Sequence, residues 1–133
     1  MCIRDSYLGG HLVLARGVMV DHTAWTTGPR RWTRAIALKD VAEGATVGAE
    51  VEGRTVLVAR IDGTISALEN ACTHAGGPLA MGPVKDGVVT CPWHGSCFRL
   101  RDGAVVKGPA AHPQPMLEAR VRKGFIQVRG RRP

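Results

Sequence analysis

Four side chains that commonly bind metals stand in two short segments, Cys72-Thr73-His74 and Cys91-Pro92-Trp93-His94. Each segment offers one thiolate and one imidazole. Such a set can close a tetrahedral zinc site, or it can hold an iron–sulfur cluster that moves single electrons. A third interpretation treats the four as unconnected core residues, but it does not explain why both segments pair a Cys with a His.

The order of the ligands favours iron–sulfur chemistry over zinc. Structural zinc sites usually group like ligands as C-x2-4-C and H-x3-5-H pairs, whereas each segment here mixes the two types. The pattern C-x-H…C-x-x-H is typical of a Rieske [2Fe–2S] centre, in which two histidines replace two thiolates on one iron. Neutral imidazoles leave less negative charge on the cluster, so an added electron is accepted more easily. We therefore predict one [2Fe–2S] cluster, with zinc as the alternative.

The rest of the chain predicts an all-β scaffold with both ligand segments in loops. Apolar residues and turn signals predict strands over 47–51, 55–61, 64–68, 116–121 and 125–128. Tight turns are expected at Asp62-Gly63, Asp86-Gly87, Asp102-Gly103 and Lys123-Gly124. No segment after residue 45 shows a helical period. Loops on a rigid β scaffold are a common way to hold a site.

Residues 33–130 resemble a Rieske ferredoxin domain, with two ligand loops, a proline loop and a closing hairpin. The resemblance implies an antiparallel β-sandwich with a small cluster-binding subdomain of two loops. It implies that Cys72 and Cys91 hold one iron while His74 and His94 hold the other. It also implies that the cluster is surrounded by Gly76, Gly77, Trp93, Gly95, Ser96 and Pro109.

Two departures from part of this family set the expected reduction potential. Respiratory-complex members carry a disulfide between the ligand loops, but the matching positions here are Gly77 and Trp93. Those members also place a serine and a tyrosine after the second histidine, where this chain has Ser96 and Phe98. Hydrogen bonds to cluster sulfurs raise the potential. With one hydroxyl donor lost, we expect a potential in the lower half of the Rieske range of roughly −150 to +300 mV.

The start of the chain differs from the rest. Residues 1–6 resemble the translated end of a transposase adaptor used in sequencing libraries, and we predict that they are an artefact. Residues 7–32 are interpreted as the remnant of a preceding segment plus a linker. Within them, residues 7–20 are apolar but shorter than the roughly 20 residues that a membrane helix needs. They resemble the tail of a small bacterial membrane domain; a short amphipathic helix packed on the domain is the alternative.

Charge and composition predict one small domain in a reducing compartment. The chain has 133 residues, a net charge of +7 and 44% hydrophobic residues, which suit a single modest core. Its 4 cysteines do not form a secreted disulfide pattern. The basic C-terminal tail has no nucleic-acid motif and no aromatic interleaving, so nucleic acid is not expected. Anionic lipid headgroups or an acidic redox partner explain the charge better.

Arginines also give an expectation for localisation. Arg30, Arg31 and Arg34 follow the apolar segment and favour its cytoplasmic side. We therefore expect a cytoplasmic domain, at the cytoplasmic face of the bacterial inner membrane if the N-terminal region attaches it. Cys97 is expected to be a buried, small apolar residue rather than a ligand, and His112 an ordinary polar residue.

Three functions follow from these observations. The first is a ferredoxin component that passes electrons from a reductase to an oxygenase or related redox enzyme. The second is a small subunit of a reductase, similar to that of nitrite reductase. The third is a zinc-bound structural module. No independent catalytic site is recognised, because the mononuclear iron site of a full ring hydroxylase needs two histidines and a carboxylate on a further domain.

Overall fold

The computed structural model describes residues 28–131, so the prediction for residues 1–6 and all but the last five residues of the predicted segment 7–32 lie outside it. Within the described residues the chain forms short strands and two 3-10 turns, Leu38–Asp40 and Leu79–Met81. The strands are β1 (Thr33–Ala37), β2 (Ala45–Val51), β3 (Arg54–Ile61), β4 (Thr64–Glu69), β5 (Val84–Lys85), β6 (Val88–Thr90), β7 (Cys97–Arg99), β8 (Val105–Lys107), β9 (Met116–Arg122) and β10 (Phe125–Gly130). The all-β prediction is confirmed, and each predicted strand is present.

The larger sheet has six antiparallel strands in the order β1-β10-β9-β4-β3-β2. Its end strands β1 and β2 come into contact, so the sheet curls around its own inner face. That face carries one of two apolar clusters, in which Val56, Val58, Ile126 and Val128 are fully buried. Full burial of such side chains contributes about 1.5–3 kcal/mol each.

The smaller sheet, β5-β6-β7-β8, packs on the outer face of β3 and β4. Leu57, Ala59 and Leu68 point to that side and are as completely buried as their neighbours on the inner face. Burial on both faces explains why β3 and β4 read as nearly continuous apolar runs. The same cluster contains Cys72 and Cys91. The smaller sheet therefore packs both predicted thiolate ligands against the outer face of the larger sheet. This arrangement is the one expected for a sandwich with a small cluster-binding subdomain.

Tight turns connect the strands where the sequence predicts them. Asp62 and Asp86 adopt positive φ angles of 51°, and the glycine after each has a φ of 75° or 73°. Two successive positive φ angles are the requirement of a type I′ hairpin turn, which suits Asp-Gly. These turns set the register of β3 with β4 and of β5 with β6.

The two ends of the described chain meet. The backbone N–H of Gly130, the last residue of β10, donates to the carbonyl oxygen of Pro29 at 2.8 Å. A Cβ atom at Gly28 would lie 2.6 Å from the Cα atom of Gly130, so the two backbones touch where any side chain would collide. No helix within residues 28–131 is long and apolar enough to cross a membrane.

Candidate metal centre

The first ligand loop, residues 70–78, begins directly after β4. Its base is closed by two backbone hydrogen bonds, from Leu79 N–H to the Asn70 carbonyl at 2.9 Å and from Cys72 N–H to the Gly77 carbonyl at 2.8 Å. Within it, Gly76 N–H returns to the Cys72 carbonyl at 2.8 Å. Gly76 has a φ of 81°, a conformation that glycine adopts without strain.

The second ligand loop, residues 91–96, repeats this backbone pattern. Cys91 N–H donates to the Ser96 carbonyl at 2.7 Å, and Gly95 N–H returns to the Cys91 carbonyl at 3.1 Å. Gly95 has a φ of 79°, matching Gly76 in the first loop. The two loops therefore hold Cys and His in equivalent turns, although one segment is C-x-H and the other C-x-x-H.

The four candidate ligands meet as two pairs of like residues. Cys72 and Cys91 are 1% and 3% exposed, and both lie in the apolar cluster between the sheets. The rings of His74 and His94 lie edge to face with centroids 4.9 Å apart, His74 half-buried and His94 exposed. Within residues 28–131, no group of three or more His, Cys, Asp or Glu side chains is placed to hold one metal ion. A buried thiol pair thus stands beside an imidazole pair at the surface.

Opposing effects act on the buried thiol of Cys72. Burial raises its pKa above the usual value, and the neighbouring Cys91 raises it further. The backbone N–H groups of His74 and Ala75 lie at the sulfur and oppose this by lowering the pKa. The same N–H groups are suited to donate to a sulfur that carries negative charge.

Gly77 and Trp93 lie where the two loops come closest. A Cβ atom at Gly77 would be 2.7 Å from Cys91 Sγ and 3.0 Å from Cγ of the Trp93 ring. The indole of Trp93 therefore fills the space above Gly77, yet the residue is 57% exposed. Both residues were predicted around the site, and the structure brings them into contact there.

Ser96 connects the second ligand loop to the proline loop, residues 108–115. Its side chain is fully buried, and its Oγ atom accepts a hydrogen bond from the Ala110 N–H at 3.0 Å. Because the backbone amide uses a lone pair of the oxygen, the hydroxyl proton of Ser96 is available to donate elsewhere. Pro109 precedes Ala110 and is exposed. The bonds from Ala110 to Ser96 and from Thr73 to His112 place the predicted third loop beside the two ligand loops.

Gln114 ties the proline loop to the first ligand loop, and sequence reasoning missed it. The residue is 2% exposed. Its Nε2 donates to the carbonyls of Glu69 and Ala71, both at 2.6 Å, and its Oε1 accepts from Thr73 N–H at 3.2 Å. Thr73 Oγ1 adds a bond to the carbonyl of His112 at 2.9 Å. One amide side chain thus fixes the backbone on both sides of Cys72; a polar residue between two prolines was the only available signal.

A buried carboxylate stands at the start of the same loop. Burial raises the pKa of Glu69, while the Arg54 guanidinium, 3.4 Å from its Oε2 atom, opposes this shift. The backbone N–H groups of Ala71 and Asn70 also bond the carboxylate and favour its charged form. Glu69 therefore caps the turn that leads from β4 to Cys72.

Cys97 and His112 lie outside the paired ligands. Cys97 is half-buried, and its Sγ is 3.4 Å from both Thr90 Oγ1 and the carbonyl oxygen of Gly95. The prediction of a buried, small apolar residue is therefore only partly right, because the residue is half-buried and its thiol is engaged in polar contacts. His112 is exposed and uses its carbonyl oxygen, bonded to Thr73, to hold the loops.

The fold and these paired side chains define a Rieske-type iron–sulfur domain. A family model described as the Rieske [2Fe-2S] domain matches residues 31–122. The protein belongs to this family, and its cofactor is one [2Fe–2S] cluster, which replaces the zinc alternative.

Known proteins of several kinds resemble the chain. The ferredoxin component of the naphthalene 1,2-dioxygenase system of Pseudomonas putida is 32% identical over 79 residues, 59% of this chain and 76% of the relative. Apoptosis-inducing factor 3 of Homo sapiens is 32% identical over 92 residues, 69% of this chain, but the match spans only 15% of that protein. A chain in a solved complex of reduced oxygenase and oxidized ferredoxin in carbazole 1,9a-dioxygenase has a TM-score of 0.69 and 28% identity, covering 74% of this chain and 93% of that chain.

Replacing Gln114 with Met tests the link between the loops. The substitution keeps the length of the side chain but leaves buried Thr73 N–H and two carbonyl oxygens without their partner. Since an unsatisfied buried group costs about 1–3 kcal/mol, we expect the free energy of unfolding to fall by about 2–5 kcal/mol in urea titrations. Gln127→Met, at a half-buried strand position, is the control and should cost less than about 1 kcal/mol. Equal losses in the two variants would contradict this role.

Gly77→Ala tests the close approach of the loops. The added methyl group would overlap Cys91 Sγ and the Trp93 ring, so the thiol pair must separate. We expect the purified variant to hold markedly less iron and sulfide per chain than the unmodified protein. Gly48→Ala in β2, where a Cβ would meet only side-chain atoms at 3.1 and 3.5 Å, is the matched control and should retain both. Full iron and sulfide content in Gly77→Ala would refute the constraint.

Proposed function

We propose that the chain is a one-electron carrier in which Cys72 and Cys91 hold one iron of the cluster and His74 and His94 hold the other. The observation that supports this assignment is the pairing of like ligands on two loops with the same backbone pattern. When bound, a [2Fe–2S] cluster takes up one electron and later releases it. The chain's own residues supply the ligands, hold the loops and donate hydrogen bonds.

The arrangement of the ligands indicates on which side of the domain electrons are exchanged with a partner. The thiol pair belongs to the apolar cluster between the sheets, whereas the imidazole pair reaches the surface. Electron transfer becomes faster as the partner comes closer, so a redox partner would dock on the side of His94. Trp93 directly precedes His94, and its exposed indole offers an apolar contact to the partner there.

The proposed partners are a reductase as electron donor and an oxygenase or related redox enzyme as acceptor. This follows the role named for the naphthalene dioxygenase ferredoxin component, of which the chain covers 76%. In this role the chain accepts one electron from the donor and gives one to the acceptor in each cycle. We further propose a cytoplasmic location, with attachment to the inner membrane through the region before residue 33, supported by the arginines that follow its apolar segment.

Serine substitutions of the cysteines test the ligand assignment. The protein is purified without oxygen, reduced chemically and examined by EPR. We expect the unmodified protein and Cys97→Ser to give a rhombic signal with an average g below the free-electron value. Cys72→Ser and Cys91→Ser should lose at least about nine tenths of this signal, because hydroxyl oxygen is a poor substitute for thiolate on iron. A silent unmodified protein that contains zinc after iron–sulfide reconstitution would overturn the proposal.

Ser96→Ala tests whether the buried hydroxyl tunes the potential. The variant loses a donor to the cluster sulfurs, and hydrogen bonds to sulfur stabilise the reduced, more negative state. We expect the midpoint potential in spectroelectrochemistry to fall by about 50–150 mV, within a family range that spans roughly 450 mV. Ser66→Ala, a buried serine in β4, is the control and should leave the potential unchanged. A potential unaffected by Ser96→Ala would assign Ser96 only to bonding Ala110.

A further inference from the structure

The outer face of β1, β10 and β9 carries arginines and aromatic rings that the electron-transfer role does not use. Register places Arg34 opposite Gln127 and Gln127 opposite Arg120, so these three form one row across the strands. On the same face, Phe125 and Arg122 form the neighbouring row towards the hairpin turn. Arg129 and Glu118 form the neighbouring row in the opposite direction along the strands. We call this surface the basic face, defined by Trp32, Arg34, Arg120, Arg122, Phe125 and Arg129.

The opposite side of the same strands is core. Leu117, Ile126 and Val128 point inward and are buried, so alternation along each strand directs the residues between them outward. The smaller sheet covers the outer side of β3 and β4. The basic face lies on the strands beyond that cover, and Arg34 and Arg122 are exposed.

Aromatic rings hold the guanidinium groups in place. The Arg120 guanidinium lies 4.1 Å and that of Arg129 4.6 Å from the centre of the Trp32 ring. Arg34 lies 3.9 Å from the centre of the Phe125 ring. Trp32 comes from the other end of the domain and Phe125 is the first residue of β10, so the fold brings aromatic rings beside these arginines. Stacking leaves the edge of a guanidinium group for hydrogen bonds; Arg120 Nε donates to Gln127 Oε1 at 2.8 Å and Arg129 Nε to Glu118, whereas Arg34 stacks on Phe125 at the exposed end of the row.

Positive charge exceeds negative charge on this surface. Glu118 bonds Arg129, with 2.7 Å between Nε and Oε2, and Glu52 reaches the edge of the face through Thr33. The face thus carries four arginines, while two carboxylates, Glu118 and Glu52, lie on it or at its edge. Four further exposed basic residues extend the surface at the ends of the same strands, Arg30, Arg31, Lys123 and Arg131.

We propose that the basic face binds the anionic headgroup surface of a lipid bilayer. Arginine binds phosphate oxygens in a bidentate geometry, and tryptophan suits the boundary between headgroups and acyl chains. The position of Gly28, the first residue that the structure describes, favours lipid over an acidic protein. Gly28 lies against Gly130 at the end of β10, so the preceding residues join the domain at the border of this face.

The length of the linker strengthens the choice of a lipid surface. Residues 21–27 can span at most about 25 Å when fully extended. If the apolar residues 7–20 enter a bilayer, Gly28, where the linker joins the domain beside the end of β10, is held within that distance of its headgroups. This inference rests on the proposed membrane attachment and not on the ligand assignment, so the two can fail separately.

Co-sedimentation of the purified 133-residue chain with lipid vesicles tests the proposal. One vesicle set contains equal amounts of phosphatidylglycerol and phosphatidylcholine, and the other contains phosphatidylcholine alone. The face variant combines Arg34→Glu with Arg122→Glu. The control combines Lys85→Glu in β5 with Arg101→Glu in the turn between β7 and β8, which changes the net charge by the same amount. Arg34→Gln with Arg122→Gln is a milder face variant, and the EPR signal of each protein reports an intact cluster domain.

We expect the unmodified chain to prefer the anionic vesicles and to lose this preference at high salt. Because a basic residue near an anionic surface contributes about a fivefold change in affinity, the face variant should bind at least about tenfold more weakly and the control within about twofold. Equal binding to both vesicle types, unchanged in the face variant, would overturn the proposal in favour of the apolar segment alone. Absence of vesicle binding, with slower reduction of the face variant by its donor protein, would overturn it in favour of an acidic protein surface.

Discussion

The approach of the two ligand loops at Gly77 is the constraint on which the site depends. A methyl group there would overlap both Cys91 Sγ and the Trp93 ring, so the thiols can share a site only if one loop has no side chain at this position. The space that a disulfide occupies in other members of the family is here filled by an indole and a bare backbone. Packing between Gly77 and Trp93, rather than a disulfide, therefore brings the two loops together at this point.

Polar contacts from outside the loops complete this packing. Gln114 fixes the backbone before and after Cys72, and Ser96 joins the second loop to Ala110. All four hydrogen bonds involve a residue of the proline loop, so this loop acts as a brace between the two ligand segments. Because the contacting groups are buried, breaking one contact leaves unpaired polar atoms and is costly. The position of the ligands is thus decided by residues that never need to touch iron.

Local sequence patterns were sufficient for strands β2, β3, β4, β9 and β10 and for the tight turns, and they singled out the candidate ligands. Asp62-Gly63 and Asp86-Gly87 encode their turns through backbone conformation, and β3 and β4 encode their burial through apolar runs. The contacts of Gln114 and Trp32 could not be predicted, because each joins segments far apart in the chain. Gln114 meets Thr73 across 41 positions, and Trp32 meets Arg120 only after β1 pairs beside β10. Spacing identifies chemistry within a segment, whereas tertiary pairing decides which segments meet.

The contact between Gly28 and Gly130 has a consequence for how such a domain can be used in evolution. A unit whose entry and exit points coincide can be spliced into a host polypeptide without stretching either neighbour. The relatives are in keeping with this modularity, since the matched region makes up 76% of a bacterial ferredoxin component and 15% of a human protein. The contact between Gly28 and Gly130 keeps the two ends of the domain together. The electron-carrying domain can therefore be inserted into different polypeptides while its own fold stays the same.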